Sequence, residues 1–242
     1  MWAADLADLL LPSGCVACGI WIPGGRTAAL VCGRCKSRLE QAAWPRCQRC
    51  HNPRATGRTE AAQCRECQDW PPELTFARYA YVLQAPAADL VHALKYEGWA
   101  ELAQTMAEAL AQITLPASGS AVVTAIPTTA ARMLERGYNQ AGLLAERYSH
   151  ARGLPIAELL VRARATASQT ELHPAERQAN VEGAFTVDPS SMSLWRGAHV
   201  VLVDDVLTTG ATASEAARAL VSAGASGVTL ISFARALPNA LR

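Results

Sequence analysis

Residues 200–212 read VVLVDDVLTTGAT. The apolar β-formers Val200 to Val203 suit a strand buried on both faces, and ASEAARALVSAG after the turn carries helical spacing. The strand is expected to end at Asp204, delivering Asp204 and Asp205 to the carboxyl edge of a sheet. Thr208, Thr209, Gly210, Ala211 and Thr212 then make a turn whose amides, hydroxyls and following helix start converge on one place, which favours an anion such as a phosphate. Gly210 permits close backbone approach, and Gly224 stops the helix. Adjacent carboxylates beside such a cradle suit paired sugar hydroxyls. The implied ligand is a sugar phosphate whose charge a Mg²⁺ ion would neutralise.

Strand-like runs at 76–83, 121–126 and 228–233 alternate with helical patterns around 86–96, 99–113, 139–152 and 212–223. Strands alternating with helices predict an α/β fold, a parallel sheet flanked by helices with ligands at the carboxyl ends of its strands. Residues 164–180 interrupt the alternation with a long polar stretch, the pattern of a functional loop. WPPELTF, residues 70–76, marks a change of pattern, so residues 1–72 are expected as one small module and residues 73–242 as the α/β domain.

The front of the chain is decided by its eight cysteines, four CxxC pairs with none left over: Cys15/Cys18, Cys32/Cys35, Cys47/Cys50 and Cys64/Cys67. Four repeated spacings of this kind suit tetrahedral zinc better than disulfides in a reducing compartment. Sequential grouping gives two Cys₄ zinc sites, Cys15 to Cys35 and Cys47 to Cys67, with a crossed pairing left open. Four thiolates leave no coordination position for hydrolysis, so the metal is structural. His51, next to Cys50, is expected to be a solvated loop residue rather than a ligand. Zinc removal is expected to unfold this module and leave the sheet domain intact.

No apolar run reaches the roughly 18–20 residues that span a bilayer, and MWAADLADLLLP carries acids where a signal peptide carries bases, which points to the cytoplasm. The formal net charge of +1 gives no global attraction to nucleic acid, so local charge must decide. Locally the module is basic, with Arg34, Lys36, Arg38, Arg46 and Arg49 interleaved with Trp21 and Trp44. That mixture serves single-stranded nucleic acid, charge tracking phosphates and indoles stacking bases. It equally serves a solubilising surface whose tryptophans pack the hairpins or the domain junction.

The thirteen-residue stretch resembles the phosphoribosyl pyrophosphate (PRPP) signature of type I phosphoribosyltransferases. Its neighbours narrow the likeness: the four CxxC pairs, HALKYEG (92–98), AIPTTAARMLERGYNQA (125–141) and RARATASQTELHPAERQANVEGAF (162–185), in this order, resemble the ComF family. The resemblance covers nearly the whole chain. It implies a type I phosphoribosyltransferase-like domain behind an N-terminal double zinc ribbon, with Asp204 and Asp205 meeting the ribose hydroxyls and Thr208 to Thr212 wrapping the 5-phosphate. Ile126, Pro127 and Thr128 would lie against pyrophosphate, with Arg132, Arg136 and Lys95 supplying cations. Thr166, Gln169, Thr170, Arg177 and Asn180 fall at the matching positions of a loop that closes over the site. The chain departs from the family pattern in CQRCH at the third cysteine pair and in AIPTT, where PVPLH is common.

Two functions follow from the resemblance. One binds PRPP and single-stranded DNA while handling DNA that enters the cytoplasm during natural transformation, with a DNA-uptake complex at the inner membrane as partner. The other is an active phosphoribosyltransferase, Asp204, Asp205, Arg132 and Arg136 being the catalytic set. No residue nominates the acceptor base.

Overall fold

The computed structural model describes residues 14–22, 29–54, 64–115, 120–163, 183–187 and 195–237. Its centre is a four-stranded, all-parallel sheet of β1 (Leu74–Val82), β2 (Ala121–Ala125), β5 (His199–Leu207) and β6 (Gly227–Arg235), in the spatial order β1-β6-β5-β2. Every residue of β6 is buried, as a central strand with both faces covered requires. Three of its side chains are polar, and each has a partner: Thr229 meets His199, Ser232 donates to the Ala234 carbonyl, and Arg235 donates to the Cys50 carbonyl.

Helices α2 (Ala87–Tyr96), α3 (Leu102–Ala111) and α5 (Gln140–Arg152) share one apolar cluster with Val201, Val203, Ile231 and Phe233. Helix α6 (Ala211–Ser222) covers the other face against Val200, Leu202, Val228 and Leu230. Alternate residues of β5 therefore serve opposite layers, the period-two consequence of the pleat. The strands and these helices match the expected pattern closely. Four short elements lack a sequence signal long enough to show periodicity: α1 (Gly33–Ser37) in the cysteine-rich segment, α4 (Ala130–Arg136), and the antiparallel pair β3 (Leu160–Arg162) with β4 (Phe185–Val187).

Strand β5 does not stop at Asp204. It continues through both acids to Leu207, because β6 still pairs with it there, Val206 opposite Ala234 and Leu207 opposite Arg235.

The cysteine-rich segment lies along the edge of β1, where its Glu40 and Arg49 carbonyls accept from the Val82 and Ala77 amides and so cover an otherwise unpaired edge. Its two halves join different layers. Cys15 and Cys35 belong to the apolar cluster of α2 and α3, whereas Cys47, Cys50 and Cys67 belong to that of α6. Packing thus continues across the change of pattern near residue 72, and from this shared core we infer that segment and sheet unfold together.

Candidate functional site

The eight cysteines gather in sequential groups, Cys15, Cys18, Cys32 and Cys35, then Cys47, Cys50, Cys64 and Cys67, each with its sulfurs within 4.8 Å of one another. Cys18 and Cys32 lie 3.9 Å apart, Cys47 and Cys67 3.8 Å, and Cys50 and Cys64 3.7 Å. A tetrahedron with metal–sulfur bonds of about 2.3 Å has edges of about 3.8 Å, so both groups fit zinc.

His51 lies outside both cysteine groups and is half-buried. It takes a left-handed backbone at φ 59°, the conformation that glycine usually supplies at such a turn. Its ring packs edge-on between Trp44 and Tyr79. Burial, reinforced by Arg78 and Arg46, lowers its pKa to about 4 and keeps it neutral.

Three arginines tie the second cysteine group to the sheet. Arg49 donates to the carbonyls of Cys67, Trp70, Pro71 and Leu74, and Arg78 to those of Gln48 and Arg49. Arg235, 1% exposed, reaches Cys50. Arg49 was a nucleic-acid candidate by its charge alone; with its guanidinium filled by four backbone oxygens it serves the fold instead. Arg34, Lys36 and Arg38 remain exposed. Trp21 is 61% and Trp44 72% exposed; Trp44 meets the His51 ring edge-on, and the Arg46 guanidinium lies 4.7 Å from the Trp44 ring centre.

A cavity of about 650 Å³ opens at the carboxyl ends of β2 and β5. Of the residues expected in one site, Asp204, Asp205, Lys95, Ile126, Pro127, Thr128, Arg132, Arg136, Thr208, Gly210, Ala211 and Thr212 all line it. Thr209 does not: its hydroxyl accepts from the Ala211 amide and its carbonyl from Trp70. Arg162 lines the cavity as well, where sequence reasoning saw only the start of a loop. A three-residue strand is too short to reveal that it aims this arginine inward, Nε donating to the Pro127 carbonyl and the guanidinium 4.9 Å from the Phe185 ring. Thr166, Gln169, Thr170, Arg177 and Asn180 lie outside the described residues.

Opposite signs meet across this cavity. Asp205, 3% exposed, pairs at 2.8 Å with Lys95, which the last turn of α2 carries to it. Arg136 lies over the Tyr96 ring at 4.9 Å, and its buried Nε and Nη1 have no hydrogen-bond partner among the described residues. Thr128 Oγ1 is likewise buried and unmatched. Buried donors without acceptors are costly, which makes them apt for a polyanionic ligand. The loop bearing Thr128 is fixed from both sides, by the Ile126 amide on the Val203 carbonyl and by Asn139 on the Ile126 carbonyl.

Desolvation pushes the Asp204 carboxyl up to about 8, with the Asp205 charge adding to the rise and Lys95 opposing it. An acid raised in the folded state costs stability as pH climbs from its unfolded value through its folded one. Asp204→Asn is therefore expected to raise the thermal midpoint more above pH about 8 than in mild acid. An equal shift across the pH range in a melting series would show that Asp204 ionises normally.

The sequence matches the phosphoribosyl transferase domain family over residues 92–239 and the double zinc ribbon domain family over residues 6–68. DNA utilization protein YhgH of Salmonella typhimurium is 30% identical over 214 residues, covering 86% of this chain and 91% of that protein. Competence protein F of Haemophilus influenzae is 25% identical, covering 85% and 90%, and competence protein ComFC of Bacillus subtilis 27%, covering 80% and 79%. The chain belongs to the ComF family.

In this ComF chain the phosphoribosyl transferase match contains the entire cavity lining from His92 onward, and the double zinc ribbon match contains all eight cysteines. No helix among the described residues is long and apolar enough to cross a membrane.

Proposed function

We propose that the cavity binds PRPP and that the exposed face of the ribbon segment binds single-stranded DNA, the two acting together in handling incoming DNA. The observation that carries the first half is the convergence on one cavity of two carboxylates, a threonine-rich phosphate turn and the cations Lys95, Arg132, Arg136 and Arg162. Asp204 and Asp205 would accept hydrogen bonds from the ribose hydroxyls, Thr208, Gly210 and Thr212 would hold the 5-phosphate, and Thr128 with the arginines would hold pyrophosphate. Two carboxylates, one already paired with Lys95, fit a Mg²⁺ ion that is bound mainly through ligand oxygens and that supplies charge neutralisation. Calorimetric titration with PRPP and Mg²⁺ should give saturable binding that inorganic pyrophosphate displaces. An absence of heat and of competition would refute the site. Release of pyrophosphate on adding a nucleobase would instead favour the transferase reading.

The second half draws on the exposed Trp44 with Arg46 beside it and on the exposed basic side chains of α1, together with relatives named for DNA utilization and competence. Stacking one base on an aromatic ring is worth about 1–3 kcal/mol. Trp44→Ala should accordingly weaken binding of a labelled single strand about 5- to 150-fold and leave PRPP binding unchanged. Equal affinity of variant and parent in an anisotropy titration would remove Trp44 from the interface.

A further inference from the structure

We infer that Trp70 is a positioning residue for the phosphate turn, through which the second cysteine group sets the geometry of the ligand site. The inference rests on the PRPP reading of the cavity only for the identity of the ligand; the contact between Trp70 and the turn is independent of it. Trp70 is 8% exposed and follows Cys67 by three residues, its amide bonded to the Cys67 carbonyl. Its ring is flanked by the Arg49 guanidinium at 5.9 Å and that of Arg235 at 6.0 Å, the two cations that also hold the carbonyls of Cys67 and Cys50. Whatever fixes those cysteines therefore fixes the indole.

On its other side the indole meets the turn. Nε1 donates to the Thr209 carbonyl at 2.9 Å, across 139 residues of chain. Gly210, at φ 85°, lies so close that a Cβ there would come within 2.6 Å of Trp70 Cε2 and Cζ2. A glycine is thus demanded twice, by the left-handed backbone and by the ring. In a trans peptide the C=O and the following N–H point in opposite directions. Drawing the Thr209 carbonyl onto Trp70 turns the Gly210 N–H the other way, and Gly210 lines the cavity. The hydrogen bond thereby orients an amide toward a bound phosphate, a role that the Thr209 side chain does not fill.

Trp70→Phe removes the donor and keeps a ring. In the full-length, zinc-loaded chain it should weaken ribose 5-phosphate about three- to tenfold, the worth of one hydrogen bond, while pyrophosphate, held by Arg132, Arg136 and Thr128, binds as before. Amide exchange over residues 208–212 should quicken, and zinc content should stay the same. Trp70→His, which restores a ring N–H, should recover part of the loss. Unchanged exchange and unchanged ribose 5-phosphate affinity would overturn the inference, as would equal weakening of both ligands, the mark of a merely structural role. Should Trp70→Phe not fold, Gly210→Ala attacks the same contact from the turn and carries the same two outcomes. If the parent protein binds neither ligand, the PRPP reading fails while the exchange measurement still decides whether Trp70 holds the turn.

Discussion

Replacing Asp204 and Asp205 together by alanine should lower PRPP affinity by at least about a hundredfold above pH about 8, where Asp204 carries its charge, since hydrogen bonds to charged groups contribute about 1.5–3 kcal/mol each and two are lost. The fold should survive. Removing Asp204 relieves a desolvated carboxyl, and removing Asp205 leaves Lys95 unpaired but 20% exposed, so that its ammonium can turn to water. Asp205→Asn is the milder control, keeping side-chain volume and cancelling the charge opposite Lys95. Calorimetry read beside circular dichroism checks both halves of the expectation: full PRPP affinity in a folded double variant would show that the ribose hydroxyls lie elsewhere.

Withdrawing zinc is the second large perturbation. Apparent binding free energies of structural zinc in finger peptides are about 10–16 kcal/mol, comparable with the whole stability of a domain. Cys47, Cys50 and Cys67 are buried in the cluster that also contains Leu74, Leu202 and Leu220. Their loss frees Arg49, Arg78 and Arg235 from the carbonyls that the turns present. Chelation, or Cys50→Ser alone, should therefore lower the unfolding midpoint of the entire chain in one transition. A sheet that melts at its usual temperature while the ribbon is unfolded would instead mark the segment as independent.

Much of this architecture was legible in the residues. Val200 to Val203 and the apolar run of β6 are long enough to show a buried parallel sheet, and the CxxC spacing is rigid enough to show both metal sites. VVLVDDVLTTGAT places the acids and the turn because strand, turn and helix are contiguous. Other features depend on partners distant in sequence. Arg49 looks like any surface cation until four carbonyls from residues 67–74 surround it, and Trp70 looks like a boundary residue until Thr209 and Gly210 arrive beneath it. Arg162 stands in a strand too short for periodicity. His51 reads as a solvated loop residue because eight cysteines already supply both metal sites, while its neighbours in space are Trp44 and Tyr79.

The most direct test of a PRPP site and a single-strand surface working together is fluorescence anisotropy of labelled single-stranded and duplex DNA against the zinc-loaded protein. The titrations would run across a salt series, with and without PRPP and Mg²⁺. The account predicts a salt-sensitive preference for single strands whose affinity changes when PRPP is added. DNA binding that is absent at low salt, or indifferent to PRPP at saturation, would contradict it.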